Sequence, residues 1–188
     1  MDNDSLAARG RALEEEYFRK KDRELIDKMK GEAATAQVRQ DLGAATRIQD
    51  PALLQELHDL GFTPETVALL PLVPAVQAAW AEGGVSTAER QLLVTLARAR
   101  GITEGSAADQ QLADWSSRRP DEAVFVRANR LIRALLDAGG LGTLTEDDIV
   151  KNAEQIAAAS GGILGMGRIS TEERALLARL ASDLKKRP

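Results

Sequence analysis

The sequence predicts an all-α protein, a compact multi-helix bundle with an N-terminal helical arm, and three observations predict it. No segment of the 188 residues alternates polar and apolar side chains with the period of a strand. Aromatic residues make up 3% of the chain against 44% hydrophobic residues overall. The core must therefore be built from Leu, Ala, Val and Ile, a set suited to packed helices, since strands favour aromatic and β-branched side chains. The third observation is a repeat. "GGVSTAERQLLVTLA" (83–97) returns as "GRISTEERALLARLA" (167–181), with nine of fifteen positions identical at an offset of 84. Each copy reads as a loop followed by a helix.

Taken in order, residues 5–30 carry dense mixed charge around a thin apolar stripe of Leu13, Tyr17, Phe18, Leu25, Ile26 and Met29. The run Arg19 to Glu24 interrupts that stripe. Such a charge run reads as a solvated face, or else as an arm that docks a partner through its apolar side. "TAQVRQDLGAATRI" (35–48) reads as a second short helix, which places the arm at residues 1–45 and the globular domain at 46–188. Asp50-Pro51 caps and starts a third helix that runs to Gly61. Thr63-Pro64 repeats that start signal and leads into the most apolar stretch. Pro71 and Pro74 each lack a donor N–H and crowd the preceding turn. One helix is therefore expected to end near Leu70, and another, with a proline in its first turn, to run through Trp80.

Ser86 starts the next helix, which ends near Gly101. "SAADQQLADWSSRR" (106–119) is shorter and is stopped by Pro120. "DEAVFVRANRLIRALLDAGG" (121–140) is strongly periodic and ends on its glycine pair. Asp147 and Asp148 lie in the first turn of the helix within 145–160, the sign that the helix dipole favours. The last helix starts at Ser170 and finishes on Lys185, Lys186 and Arg187, again the favoured sign.

The repeated core is Gly-x-(Val/Ile)-Ser-Thr-x-Glu-Arg. Ser86 with Glu89, and Ser170 with Glu173, match the capping box, in which serine and glutamate satisfy each other's backbone N–H. Leu92, Leu93, Leu96 and Ala97 follow as an inward stripe, as do Leu176, Leu177, Leu180 and Ala181. The same glycine, aliphatic and glutamate positions also fit the back half of a calcium-binding EF-hand loop. The front half does not fit, because Ala78 and Trp80, or Gly162, Leu164 and Met166, offer no ligand oxygen. A weaker cation site remains in the first copy, where Glu82 and Glu89 flank the loop. In the second copy Met166 stands where that partner acid would be.

"AAWAEGGVSTAERQLLVTLARARGI" (78–102), the Trp-Ser-Ser-Arg-Arg-Pro ending at 115–120 and "ASGGILGMGRISTEERALLARLA" (159–181) together resemble the tellurite-resistance TerB-like family. The resemblance covers about Thr63 to Leu184 and leaves the arm outside. It implies a compact helical bundle linked to stress responses, or attached to chaperone and membrane-associated modules. It also implies that Glu82 and Glu89 hold a divalent cation, calcium or magnesium. Glu82 stands where aspartate is usual in that family.

Several classes fall away. A net charge of −4 argues against a general nucleic-acid binder. With no cysteine and His58 as the single histidine, disulfides, thiolate sites and multi-histidine metal sites within one chain are excluded. The charged N-terminus has no apolar run of a secretory signal, and the longest apolar stretch, "VALLPLVPAVQAAW", is short of the roughly twenty residues a membrane helix needs. A cytoplasmic location is expected. "GGILGMG" (161–167) lacks the lysine and the preceding strand of a phosphate loop and reads as a tight turn. Arg127, Arg130 and Arg133 form a basic stripe that reads as a solvated face, with Arg133 able to pair with Asp137. Trp80 and Trp115 read as core anchors, and His58, beside Asp59, as surface or boundary. No nucleophile has a base beyond His58. The expectation is a non-enzymatic TerB-like binding module acting on another protein or a second copy of itself, with a weak cation site. The alternative is an adaptor whose function lies in the N-terminal arm.

Overall fold

The computed structural model describes residues 3–160 and 169–185, with side chains over 16–159 and 169–185. Among them are eight α-helices, one 3-10 helix and no strand, the fold class that the sequence predicts. No described helix is long and apolar enough to cross a membrane. The chain divides into two units, residues 1–40 and 41–188.

Helix α1 (Asn3–Thr46) is one continuous helix where the sequence reads as two. Between Arg19 and Thr46 it contains no proline, and its glycines at 31 and 43 each lower helix propensity by only about 1 kcal/mol, too little to stop a helix of this length. In the 1–40 unit the Thr35 hydroxyl donates back to the Gly31 carbonyl at 3.0 Å, and Lys21–Glu24 (3.2 Å) and Lys28–Glu32 (3.9 Å) add exposed pairs along the surface. Such pairs each contribute about 0.2–0.5 kcal/mol to a helix. The helix ends in the second unit at Arg47, whose φ of 60° is left-handed and breaks the ladder.

The 41–188 unit begins at that helix end, where Leu42 is wholly buried. A Cβ on Gly43 would lie 3.1 Å from the Ile48 carbonyl, so the close turn there suits glycine. Helix α2 (Pro51–Asp59) has Asp50 as its cap, accepting from Ala52 N–H at 2.8 Å. It closes at Gly61 (φ 81°), whose N–H reaches the His58 carbonyl at 2.8 Å while Phe62 N–H reaches Leu57 at 3.1 Å.

The start signal at Thr63-Pro64 opens a turn rather than an α-helix. The Thr66 hydroxyl takes the Thr63 N–H at 2.9 Å, and the chain then runs as a 3-10 helix (Val67–Leu72) containing Pro71. Helix α3 (Val73–Ala79) begins afresh with Pro74 in its first turn. The expected break thus falls between Leu70 and Pro74. Every residue from Leu69 to Ala79 is buried.

Helices α4 (Thr87–Ala99), α5 (Ala107–Ser117), α6 (Glu122–Asp137), α7 (Glu146–Ser160) and α8 (Thr171–Lys185) follow. Ser86, Ser106 and Asp121 cap the first three through their side chains. At the start of α7, Thr145 and Asp148 form a reciprocal cap: Thr145 N–H to the carboxylate at 3.0 Å, and Asp148 N–H to the threonine oxygen at 3.2 Å. Arg118 is extended ahead of Pro120, which stops α5.

Helix α3 lies at the centre and packs most extensively on α7, with α4 and α8 also against α7, and α6 against α3 and α8. The two repeated helices, α4 and α8, thus both pack on α7. Leu93 and Leu177, equivalent positions of the repeat, are 0% and 8% exposed. The inward stripe is narrower than its periodicity suggests. Leu92, Leu96 and Leu176 are only half-buried, and the buried line is Leu93–Ala97 in α4 and Leu177–Leu180–Leu184 in α8.

Candidate functional site

Both repeats form complete capping boxes. Ser86 N–H donates to Glu89 Oε2 at 2.7 Å and Glu89 N–H to Ser86 Oγ at 3.2 Å. In the second copy the equivalent bonds are 2.7 Å, from Ser170 N–H, and 3.1 Å, to Ser170 Oγ. Gly83 adopts φ 86° and lets the first loop turn tightly into its cap. The repeated arginine has a local task as well. Arg90 Nη2 donates to the Ser116 carbonyl at 3.2 Å, at the C-terminal end of α5, where a cation is favoured. Its counterpart Arg174 donates to the Ile169 carbonyl at 3.4 Å.

The cap glutamates are unusually enclosed, Glu89 being 2% and Glu173 1% exposed. Burial pushes the Glu89 carboxyl above its ordinary range, against the lowering effect of the Ser86 hydrogen bonds. The negative charges of Glu173 and Glu82 push it the same way. The structure thus brings the two cap carboxylates into each other's field, with exposed Glu82 contributing from the loop. Among the described residues no three acidic or histidine side chains are grouped closely enough to hold a metal ion. Residues 161–168, which include the second loop with Met166 and the glycine-rich stretch, lie outside the described residues.

A groove that the sequence reading missed runs between α6 and α8, with α3 as its floor. Gln77, 3% exposed, sits in the otherwise apolar run of α3. Its Oε1 accepts from Asn129 Nδ2 at 2.9 Å, and its Nε2 faces Glu122 Oε1 at 3.5 Å. Glu122 is held from two sides, by Arg119 at 2.7 Å and Arg179 at 3.6 Å. This cluster divides the groove into two chambers that share Gln77 and Arg179, of about 600 and 280 Å³. Trp80 and Leu176 line the larger chamber, and Val126, Arg130 and Arg133 the smaller. Arg133 lines the groove, and among the described residues no ion pair joins it to Asp137. A glutamine inside an apolar helix was the one local signal for this site. Its partners are supplied by segments far away in sequence.

On α1, Tyr17, Phe18, Leu25, Ile26 and Met29 are each at least 50% exposed. At about 100° per residue they fall within roughly half a turn of one another. Tyr17 and Phe18 meet edge to face at 5.8 Å.

Trp80 and Trp115 are structural, the Trp80 indole N–H donating to the Trp115 carbonyl at 2.7 Å and Trp115 meeting Phe62 edge to face. His58 Nδ1 lies 3.5 Å from Asp59 Oδ1. Comparison with protein-family models, curated proteins and solved structures returns no match for this chain.

Proposed function

We propose that the protein is a non-catalytic binding module that captures another protein through the apolar face of α1, with the 41–188 unit as its stable mount. The observation that carries this reading is the exposure of five large apolar side chains on one side of a helix. Scattered exposed apolar residues are ordinary, whereas two clusters of them on one half of a charged helix, on either side of the Arg19–Glu24 run, fit the mode in which apolar helix residues meet a partner's groove. Leu25→Asp combined with Ile26→Asp, in the full chain, tests it. Affinity capture from the host should recover a protein with the wild type and lose it with the variant, while helicity and melting of the 41–188 unit stay unchanged. Undiminished capture by the variant would contradict the reading.

A TerB-like character for residues 63–184 remains part of the proposal. It adds a second reading, in which the first loop holds a weak calcium or magnesium ion. The motive for it is the loop flanked by Glu82 and Glu89, where the charge of Glu82 acts on the Glu89 carboxyl. On this reading millimolar calcium or magnesium raises the melting temperature of the wild type, and Glu82→Gln or Glu89→Gln removes the rise. An unchanged melting temperature in both cations would contradict it.

A further inference from the structure

We infer that the groove between α6 and α8 is a second binding site, one that takes an acidic peptide segment of a partner protein. This goes beyond the α1 reading and is independent of it, because every residue involved belongs to the 41–188 unit.

The smaller chamber has an excess of positive charge. Arg130, Arg133 and Arg179 line it against a single carboxylate, Asp183. Arg133 has no ion-pair partner among the described residues, Arg130 is shared with Glu56 only at 3.5 Å, and Arg179 reaches Glu122 only at 3.6 Å. Three arginines lining one recess offer guanidinium forks, each of which a carboxylate matches. The neighbouring chamber already holds a carboxylate in this manner, since Glu122 lies between Arg119 and Arg179.

Two further features select a peptide over a free anion. Asn129 Oδ1 is buried and has no hydrogen-bond donor among the described residues, so this wall of the chamber carries an unmet acceptor. A backbone N–H supplies such a donor. Val126, on the same wall, is 57% exposed and offers contact to an apolar side chain. Carboxylate, N–H and apolar side chain occur together in an acidic peptide, whereas inorganic phosphate leaves Val126 uncovered.

The test uses the full chain and a fluorescein-labelled peptide repeating Glu-Leu-Ser, with the Gln-Leu-Ser repeat of equal length as its uncharged counterpart, read by fluorescence anisotropy. The Glu peptide should bind in a saturable, salt-sensitive manner and the Gln peptide should not. Arg133→Glu and Arg179→Glu should each weaken binding roughly tenfold or more. Arg127→Glu makes the same charge change on α6 but lines neither chamber, and should leave the affinity near wild type. Each variant is checked by its melting profile, and Arg133→Gln replaces Arg133→Glu if that variant does not fold. The Leu25→Asp/Ile26→Asp chain should bind the peptide as the wild type does, so failure of the α1 reading and failure of this one are told apart. Equal binding of the Gln peptide would overturn the inference. So would equal weakening by Arg127→Glu, or an Arg133-dependent affinity for inorganic phosphate or phosphatidylserine vesicles with none for the Glu peptide.

Discussion

Ser86 and Glu89 satisfy each other's backbone donors, and so do Ser170 and Glu173. Replacing either serine by alanine should therefore cost about 0.5–2 kcal/mol of stability in urea titration. Equal costs at the two positions are expected, because the two boxes have the same geometry. Glu89 adds a pH dependence whose sign follows from burial. Folding raises the Glu89 carboxyl above its ordinary range, so the folded state holds that proton more tightly than the unfolded chain. Its contribution to stability should fall as pH rises from the ordinary carboxylate range through the raised folded value, and level off above it. Glu89→Gln keeps an acceptor for the cap and removes the charge, so it should abolish this component; an unchanged pH profile in that variant would refute the assignment. The caps are legible in the sequence because serine and glutamate stand three residues apart on one turn. The effect of the Glu173 charge on Glu89 is not legible, since 84 residues separate them in sequence while their helices, α4 and α8, both pack on α7. The Gln77–Glu122–Arg179 cluster was hidden for the same reason.

Single helices show which local signals decide and which yield. Pro71 and Pro74 did set a break, yet Thr63-Pro64 did not start an α-helix. The Thr66 hydroxyl captures the Thr63 N–H, and the chain takes a turn and a 3-10 segment instead. On α1 the lack of any stop residue mattered more than the lapse of the apolar stripe. Two glycines make that weighing testable. Nothing lies within 4 Å of a Cβ placed on Gly31 in mid-helix, so Gly31→Ala should strengthen α1 by about 0.5–1 kcal/mol. A Cβ on Gly140 would lie 2.9 Å from Ile48 Cγ1, so Gly140→Ala should destabilise the 41–188 unit by about 1–3 kcal/mol. Circular dichroism for the first and chemical denaturation for the second would measure these opposite signs. A destabilising Gly31→Ala would mean that α1 bends or packs at that point.

Across the whole molecule, the all-α class, the helices from Ser86 onward and the doubled capping-box helix could be read from periodicity, capping residues and glycine stops. The limit of the arm could not. The sequence places it at residue 45, whereas the units divide after Gln40, because α1 carries Leu42 into the core of the second unit without any local mark of the change. Two truncations exploit that difference. A chain starting at Asp41 keeps Leu42 and should melt as the full chain does over its core transition. A chain starting at Thr46 loses that buried side chain and should be less stable by about 2–5 kcal/mol, the usual range for emptying a leucine site. The most direct test of the binding role is partner capture by the stable Asp41–Pro188 chain, compared with the full chain at equal concentration. Loss of the captured protein with an unchanged melting transition is the result this account predicts. Retention of that protein by the chain without α1's apolar face would contradict it.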